Sequence, residues 1–265
     1  MAGLPPALAA QTDRVVLADP VFISDLHLSA AQPATRAAFM RFGREVARKH
    51  RELVILGDLF EYWAGDDDDD ALGQDVAAQL AALQGLGVAV YLMHGNRDLL
   101  LGTDFCTRSG ATLLADPTIA TIQDRSVLLA HGDAYCTLDL EYLKFRAQTR
   151  NPGFQQVFLS KPLAERKAFI GQVRAASEAS KARTAALAAP EIMDVTPAEI
   201  EKAMAQASVR TMIHGHTHRP ATHHLVVEGQ GATRWVLPDW DLDAAQPRGG
   251  YLGVLDGKLA VAPLP

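Results

Sequence analysis

An α/β fold is predicted by three observations. Short apolar, β-branched runs alternate with amphipathic helical patterns along the first half of the chain. Five of these runs are followed directly by aspartate, asparagine or histidine. A Gly-, Pro- and Trp-containing stretch near the C-terminus supplies further strands and turns, enough for a second sheet, so the fold is expected to be layered.

The first strand is read at Val21 to Ser24, and a helix follows over Thr35 to His50, where Ala38, Phe39, Phe42 and Val46 form one stripe. Leu53 to Leu56 is the next strand, Asp75 to Leu86 the next amphipathic helix, and Val88 to Met93 the third strand. Val127 to Ala130 and Val209 to Ile213 repeat the apolar pattern, and the segments from His223 to Leu264 read as added strands. Between the last two core strands lie about 68 residues, Asp139 to Gln206, with little strand signal; they read as an inserted helical unit within a single domain spanning residues 1–265. Its middle, Lys161 to Arg183, is basic: Lys161, Arg166, Lys167, Arg174, Lys181 and Arg183 face only Glu165 and Glu178. Such a run is either a solvated helix face or a feature of the adjacent site. The acidic run Asp66 to Asp70 reads as a hydrated loop.

Composition narrows the class. With 25 basic against 31 acidic residues the net charge is -6, which argues against broad nucleic-acid binding but leaves room for a local basic pocket. Cys106 and Cys136 are the only two cysteines and form no CxxC pair, so neither a disulfide framework nor a thiolate zinc site is indicated and a reducing compartment is expected. The Ala- and Pro-rich stretch Met1 to Thr12 lacks the positive start of a signal peptide and reads as a loose tail. No run reaches the roughly 20 apolar residues of a membrane span.

The five strand-end clusters are Asp25 and His27, Gly57 and Asp58, Gly95 to Asp98, His131 to Asp133, and His214 to His218. In an α/β sheet such positions share one rim, so ligands distant in sequence converge. Hydrolysis of a phosphate ester or anhydride needs an activated water and neutralisation of the phosphoryl oxygens, and two ions roughly 3.5–4 Å apart supply both. Asp58 suits the bridging carboxylate because Gly57 lets the chain turn at the strand end. Asp25 and His27, and likewise His216 and His218, are expected on the same side by the i, i+2 rule of extended chain. With Asn96 and His131 the donors are mixed oxygen and nitrogen, which suits Mn, Fe or Zn better than Ca or a lone Mg. Two divalent ions against Asp25 and Asp58 leave about +2, and Arg97 adds one more, a pocket suited to a diphosphate.

Taken singly, Asp25 and His27 are equally a loop cap and a surface histidine. His94 and His214, each before a glycine, are placed outside the ligand set. Asp98 and Asp133 each have two readings, as orienters of a ligand histidine or as turn caps.

Together these strings resemble the calcineurin-like metallophosphoesterases, whose pattern D-x-H, GD, GN-[HR]-[DE], H, GH-x-H is matched by Asp25-Leu26-His27, Gly57-Asp58, Gly95-Asn96-Arg97-Asp98, His131 and Gly215-His216-Thr217-His218. The resemblance implies a four-layer α/β/β/α sandwich, one metal on Asp25, His27, Asp58 and His218, and another on Asp58, Asn96, His131 and His216. Longer strings from Val21 to Pro220, among them ISDLHLS, ILGDLFEYWAGDDD, HGNRDLLLG and IHGHTHRP, are similar to the UDP-2,3-diacylglucosamine diphosphatases of lipid A biosynthesis. That family implies two Mn²⁺ ions, cleavage to UMP and 2,3-diacylglucosamine 1-phosphate by a metal-activated water attacking the phosphorus next to uridine, and a cytoplasmic enzyme held peripherally on the inner membrane. It implies no nucleic-acid or protein partner, and it makes the Asp139 to Gln206 insert a lid over the acyl chains. Substrate contacts are implied at Asn96, Arg97, Asp139, Ser177, Lys181, Thr184 and His216, with Arg97 and Asp58 as the catalytic pair. The chain departs from the family around Ala188 to Glu191, at Thr184 where a lysine is expected, and at Pro238-Asp239-Trp240, which replaces Gly-x-Trp and is expected to touch no ligand.

Arg97 carries an argument of its own. Phosphoprotein phosphatases of this superfamily have a histidine there that protonates an alkoxide, whereas arginine does not give up a proton at working pH. A phosphate leaving group needs no proton, so Arg97 favours anhydride cleavage. The rival readings are another enzyme on the same scaffold, such as a nuclease or cyclic-nucleotide phosphodiesterase, and a non-catalytic interaction module. The acidic balance weighs against the nuclease, and the full ligand set against the module.

Overall fold

The computed structural model describes residues 15–68, 70–186, 192 and 194–265, the side chains of 177–186 excepted. Its strands are β1 Val15–Leu17, β2 Pro20–Ile23, β3 Glu52–Leu56, β4 Ala89–Met93, β5 Thr112–Leu114, β6 Thr118–Ile122, β7 Arg125–Ala130, β8 Thr211–His214, β9 Ala221–Val227, β10 Gln230–Val236, β11 Tyr251–Leu255 and β12 Lys258–Ala262. Its helices are α1 Pro33–Glu45, α2 Ala71–Gly85, α3 Thr103–Ser109, α4 Leu140–Thr149, α5 Pro152–Leu159, α6 Leu163–Ala186 and α7 Pro197–Gln206. The strands form two six-stranded sheets, ordered β12-β11-β2-β3-β4-β5 and β1-β6-β7-β8-β10-β9.

The continuous apolar runs are explained by burial on both faces. Val21, Ile23, Leu53, Ile55 and Leu92 turn toward α1 and α2, where Phe39, Phe42, Val76 and Leu80 close the outer layer. The alternate residues Phe22, Val54, Leu56 and Met93 turn inward and meet Val127, Leu129 and Ile213 of the second sheet. On the far side Leu128, Ala130 and Met212 are covered by Ile200 and Met204 of α7. The result is the expected α/β/β/α sandwich. Each such side chain contributes on the order of 1.5–3 kcal/mol, so the two sheets are held at fixed spacing.

Strands β2, β3 and β4 run parallel, as do β7 and β8. The predicted site residues therefore leave from two sheets, where sequence reading placed them on one rim. The C-terminal strands also divide: β9 and β10 extend the second sheet while β11 and β12 extend the first, so they do not make a sheet of their own.

Helices α4 to α7 fill the interval between β7 and β8. Asp139 caps α4 by accepting from Tyr142 N–H at 2.9 Å, and Asn151 caps α5 through Phe154 N–H at 3.1 Å; Pro152 and Pro197 open α5 and α7. The described residues of the acidic run, Asp66, Asp67, Asp68 and Asp70, do not form the hydrated loop expected from its charge. Asp66 caps α3 by accepting from Asp104 and Phe105 N–H at 3.0 and 2.9 Å, and Asp70 caps α2 through Gly73 N–H at 3.0 Å. Asp67 holds the buried Arg166, and Asp68 holds Lys167 at 2.8 Å.

Candidate metal centre

Asp25, His27, Asp58, His216 and His218 all sit at positive φ, between 49° and 70°, a region sparsely used by residues other than glycine. The extended i, i+2 geometry thus does not persist past the strands. Left-handed turns bring Asp25 and His27, and His216 and His218, to the site instead, and the interstrand contacts Asp25 N–H to Gly57 O at 3.1 Å and Gly215 N–H to His131 O at 2.9 Å hold those turns. Gly95 and Gly215 have no room for a Cβ, because the carboxylates of Asp58 and Asp25 lie against them.

The structure brings the seven predicted ligands together. Ligand atoms of Asp25, His27 and His218 form one group able to hold a metal ion, and those of Asp25, Asp58 and His131 a second, overlapping one. Nε2 of His27 lies 3.9 Å from Asp58 Oδ2, and Nε2 of His131 lies 3.8 Å from the same oxygen. Asn96 Oδ1 is 3.1 Å from His131 Nε2, and the rings of His131 and His216 are 5.1 Å apart.

Three histidines have an oxygen behind Nδ1, in hydrogen-bond geometry at His131 and as a close ion-pair approach at His27 and His218. Glu61 Oε2 is 2.9 Å from His27 Nδ1, Asp239 Oδ2 is 3.3 Å from His218 Nδ1, and Leu56 O is 2.9 Å from His131 Nδ1. With the proton placed on Nδ1 each Nε2 presents a lone pair to the centre. Asp25 Oδ2 accepts from Ser24 Oγ at 2.6 Å and from His216 N–H at 2.8 Å, while its buried Oδ1 has no hydrogen-bond partner and faces the cluster. Inward lone pairs beside unpaired carboxylate oxygen are what divalent cations take up, so the donor set fits them.

The buried charges pull the cluster's groups in opposite directions, and His216 is lowered to about 3 by burial and by the charge of His131. Burial raises the Asp58 carboxyl above its ordinary range. Burial acts to lower His131, yet the carboxylates of Asp58, Asp133, Asp25 and Asp116 raise it to about 9. His218 is raised to about 10, its Asp239 and Asp25 contacts outweighing burial. Excess negative charge at buried donors is the physical demand that cations satisfy.

Sequence reading missed Glu61 and misjudged Asp239. Glu61 stands three residues after Asp58 in the string GDLFE, the one signal available. Asp239 lies in the departing Pro238-Asp239-Trp240 segment, which does reach a ligand: Asp239 contacts His218, and Trp240 N–H donates to Asp25 O at 3.0 Å. The two added carboxylates are offset by Arg174 at 2.6 Å from Glu61 and Arg248 at 2.6 Å from Asp239.

Asp98 proves to be a backbone anchor. It accepts from Gly95 N–H at 2.9 Å and Leu59 N–H at 2.8 Å, tying the turns after β3 and β4 together. Asp133 fits neither sequence reading. Its Oδ2 accepts from Tyr142 Oη at 2.6 Å and Arg146 Nε at 3.0 Å, with Arg150 at 3.5 Å, fastening α4 beside His131. Burial opposes that charge, but Arg150 and Arg146 hold the carboxyl well below its usual range.

A cavity of about 640 Å³ opens from the cluster and runs under the insert. Its wall includes Arg97 and Asp139 together with the apolar Phe145, Phe154, Phe158 and Ile170. Arg97 Nη1 is 3.9 Å from Glu61 Oε1. The side chains of Ser177, Lys181 and Thr184 lie outside the described residues. In the basic middle of the insert, Arg166 faces Asp67, Lys167 faces Asp68 and Arg174 faces Glu61.

Residues 20–220 match the calcineurin-like phosphoesterase family model. The chain belongs to the calcineurin-like phosphoesterases. This phosphoesterase is 47% identical over 270 residues to the UDP-2,3-diacylglucosamine hydrolase of Ralstonia nicotianae, a match covering 100% of this chain and 99% of that one. It is 50% identical over 220 residues to the hydrolase of the same name from Cellvibrio japonicus, covering 83% and 90%. A third, from Marinobacter nauticus, is 49% identical over 224 residues and covers 83% and 89%.

Proposed function

We propose that this phosphoesterase hydrolyses the diphosphate of UDP-2,3-diacylglucosamine to UMP and 2,3-diacylglucosamine 1-phosphate in lipid A biosynthesis. The observation that carries the reading is the single cavity running from the donor cluster to the aromatic wall of the insert. Its polar groups take a diphosphate and its apolar wall takes acyl chains. Relatives of nearly the same length that bear the name of this activity support it.

One divalent cation would be held by Asp25, His27, Asp58 and His218, the other by Asp58, Asn96, His131 and His216; we take both to be Mn²⁺. When bound, the pair supplies an acidified water and positive charge against the phosphoryl oxygens. The chain supplies the rest. Glu61, Asp239 and Leu56 O hold three histidines in one tautomer. Arg97, at the cavity wall, meets the departing sugar phosphate and stabilises the charge that grows on it. Asn96, Arg97, Asp139 and His216 contact substrate, and α4 to α6 act as the lid, with Ser177, Lys181 and Thr184 added as substrate contacts on the sequence resemblance alone.

No helix among the described residues is long and apolar enough to cross a membrane. The exposed Leu138, just before the insert, and Leu140, Val157 and Leu159 within it support peripheral attachment to the cytoplasmic face of the inner membrane, from which the substrate is drawn. The test is kinetic: with Mn²⁺ the purified protein releases UMP from the diacylated substrate and chelation stops it. Equal kcat/KM for diacylated and deacylated UDP-glucosamine overturns the lid assignment; no UMP from either overturns the activity.

A further inference from the structure

Glu61 stands where three parts of the molecule meet. It follows the turn after β3, which its own N–H ties to Leu28 O at 3.1 Å. Its Oε2 is 2.9 Å from Nδ1 of His27, and its Oε1 is 2.6 Å from Arg174 on α6. One carboxylate thus touches a candidate metal ligand with one oxygen and the insert with the other.

Helix α6 is fastened unequally along its length: Lys167 meets Asp68 at 2.8 Å, and two arginines hold it on either side of the cavity wall. Arg166 is 2% exposed, donates to Ala64 O, and pairs with Asp67. Arg174 lies about two turns further on, with a side chain 40% exposed, over the Tyr62 ring at 5.7 Å. Ile170 and Val173, between the two arginines, line the cavity. A helix anchored firmly at Arg166 and loosely at Arg174 can lift its distal half from the cavity, and the contact broken in doing so is the one on Glu61.

We propose that Glu61 is a positioning residue through which α6 reaches the metal centre: with Arg174 docked, the Glu61 carboxylate is fixed and holds His27 in the orientation that presents Nε2 to a cation. The lid over the substrate and the grip on one of the two cations are then linked. A carboxylate behind a metal-binding histidine typically accounts for about 10- to 100-fold in metal affinity. This rests on the two-metal reading of the cluster.

The test is titration of metal-free full-length protein with Mn²⁺, following free Mn²⁺ by electron paramagnetic resonance, so that no substrate or turnover enters. Wild type is expected to bind two ions. Glu61→Gln weakens one site by about 10- to 100-fold. Arg174→Gln weakens the same site by a smaller factor, about threefold, and adds nothing to Glu61→Gln in the double variant. Lys167→Gln, which releases α6 from Asp68 without touching Glu61, leaves both sites unchanged. If Arg174→Gln matches wild type in Mn²⁺ affinity, even with a raised KM, Arg174 serves the substrate alone and the link is overturned. Should Glu61→Gln fail to fold, the partly exposed Arg174→Gln decides. Wild type binding no Mn²⁺ overturns the metal centre itself, an outcome distinct from loss of the link.

Discussion

Nε2 of His27 and Nε2 of His218 face each other at 3.2 Å, while Glu61 and Asp239 hold the opposite nitrogens of the two rings. Two lone pairs directed at one point, next to Asp25, repel, so the pair shares a proton or takes up a cation. The histidines come from turns 191 residues apart in sequence, so the sandwich itself, rather than a local motif, sets this distance.

Asp58 is the oxygen donor placed between the His27 and His131 sides, at 3.9 and 3.8 Å. Asp58→Ala is expected to lose tight binding of both cations and to lower activity by more than the about 10- to 100-fold typical of disturbing an outer partner. Metal analysis after gel filtration, together with turnover, checks it. Two tightly held ions with near-normal turnover would remove Asp58 from the bridging role.

Arg97 lies in the cavity wall beside Glu61. Charge grows on the leaving phosphate chiefly in the transition state, so Arg97→Ala is expected to lower kcat by about 10²-fold or more and to change KM less. Steady-state kinetics decides; a change confined to KM makes Arg97 a binding residue only.

Asp133 is buried among Tyr142, Arg146 and Arg150. Asp133→Asn leaves two arginines short of a partner, and since Asp116 still pairs with both, the loss is expected near the lower end of the range for broken buried pairs, about 3 kcal/mol. The folded carboxyl titrates below its ordinary 3.8. Its stabilisation is therefore complete above pH 3.8 and fades as pH falls through the lower folded value. Urea denaturation near pH 7 and again in acid checks both parts; a difference under 1 kcal/mol at neutral pH, or one that grows in acid, contradicts the assignment.

Strands such as Leu53–Leu56 were legible because both faces are buried, leaving an unbroken apolar run whose end marks the site. Strands β5 and β6 and helix α3 escaped notice: β5 is 3 residues long with two exposed, and α3 of 7 residues follows a glycine and takes its cap from Asp66, far away in sequence. The seven ligand positions were legible from residue type and spacing. Their mode of convergence was not, because the left-handed turns at Asp25 and His216 are held by contacts between chain segments far apart. For the same reason the partners of charged runs were hidden. Asp66 to Asp70 read as a hydrated loop, and Arg166 and Lys167 as part of a solvated helix face or of the adjacent site, until the fold paired Asp67 and Asp68 with them. Glu61 and Asp239 act only through histidines that sequence separation places out of sight.

In the proposed reaction the donor cluster and Arg97 fix the orientation of the diphosphate, water entering at the phosphorus next to uridine and the lipid-sugar phosphate leaving past Arg97. Hydrolysis of UDP-2,3-diacylglucosamine in ¹⁸O-water with mass spectrometry of both products tests it most directly. The expected result is one solvent oxygen in UMP and none in 2,3-diacylglucosamine 1-phosphate. Label in the sugar phosphate would place attack on the other phosphorus and contradict the account.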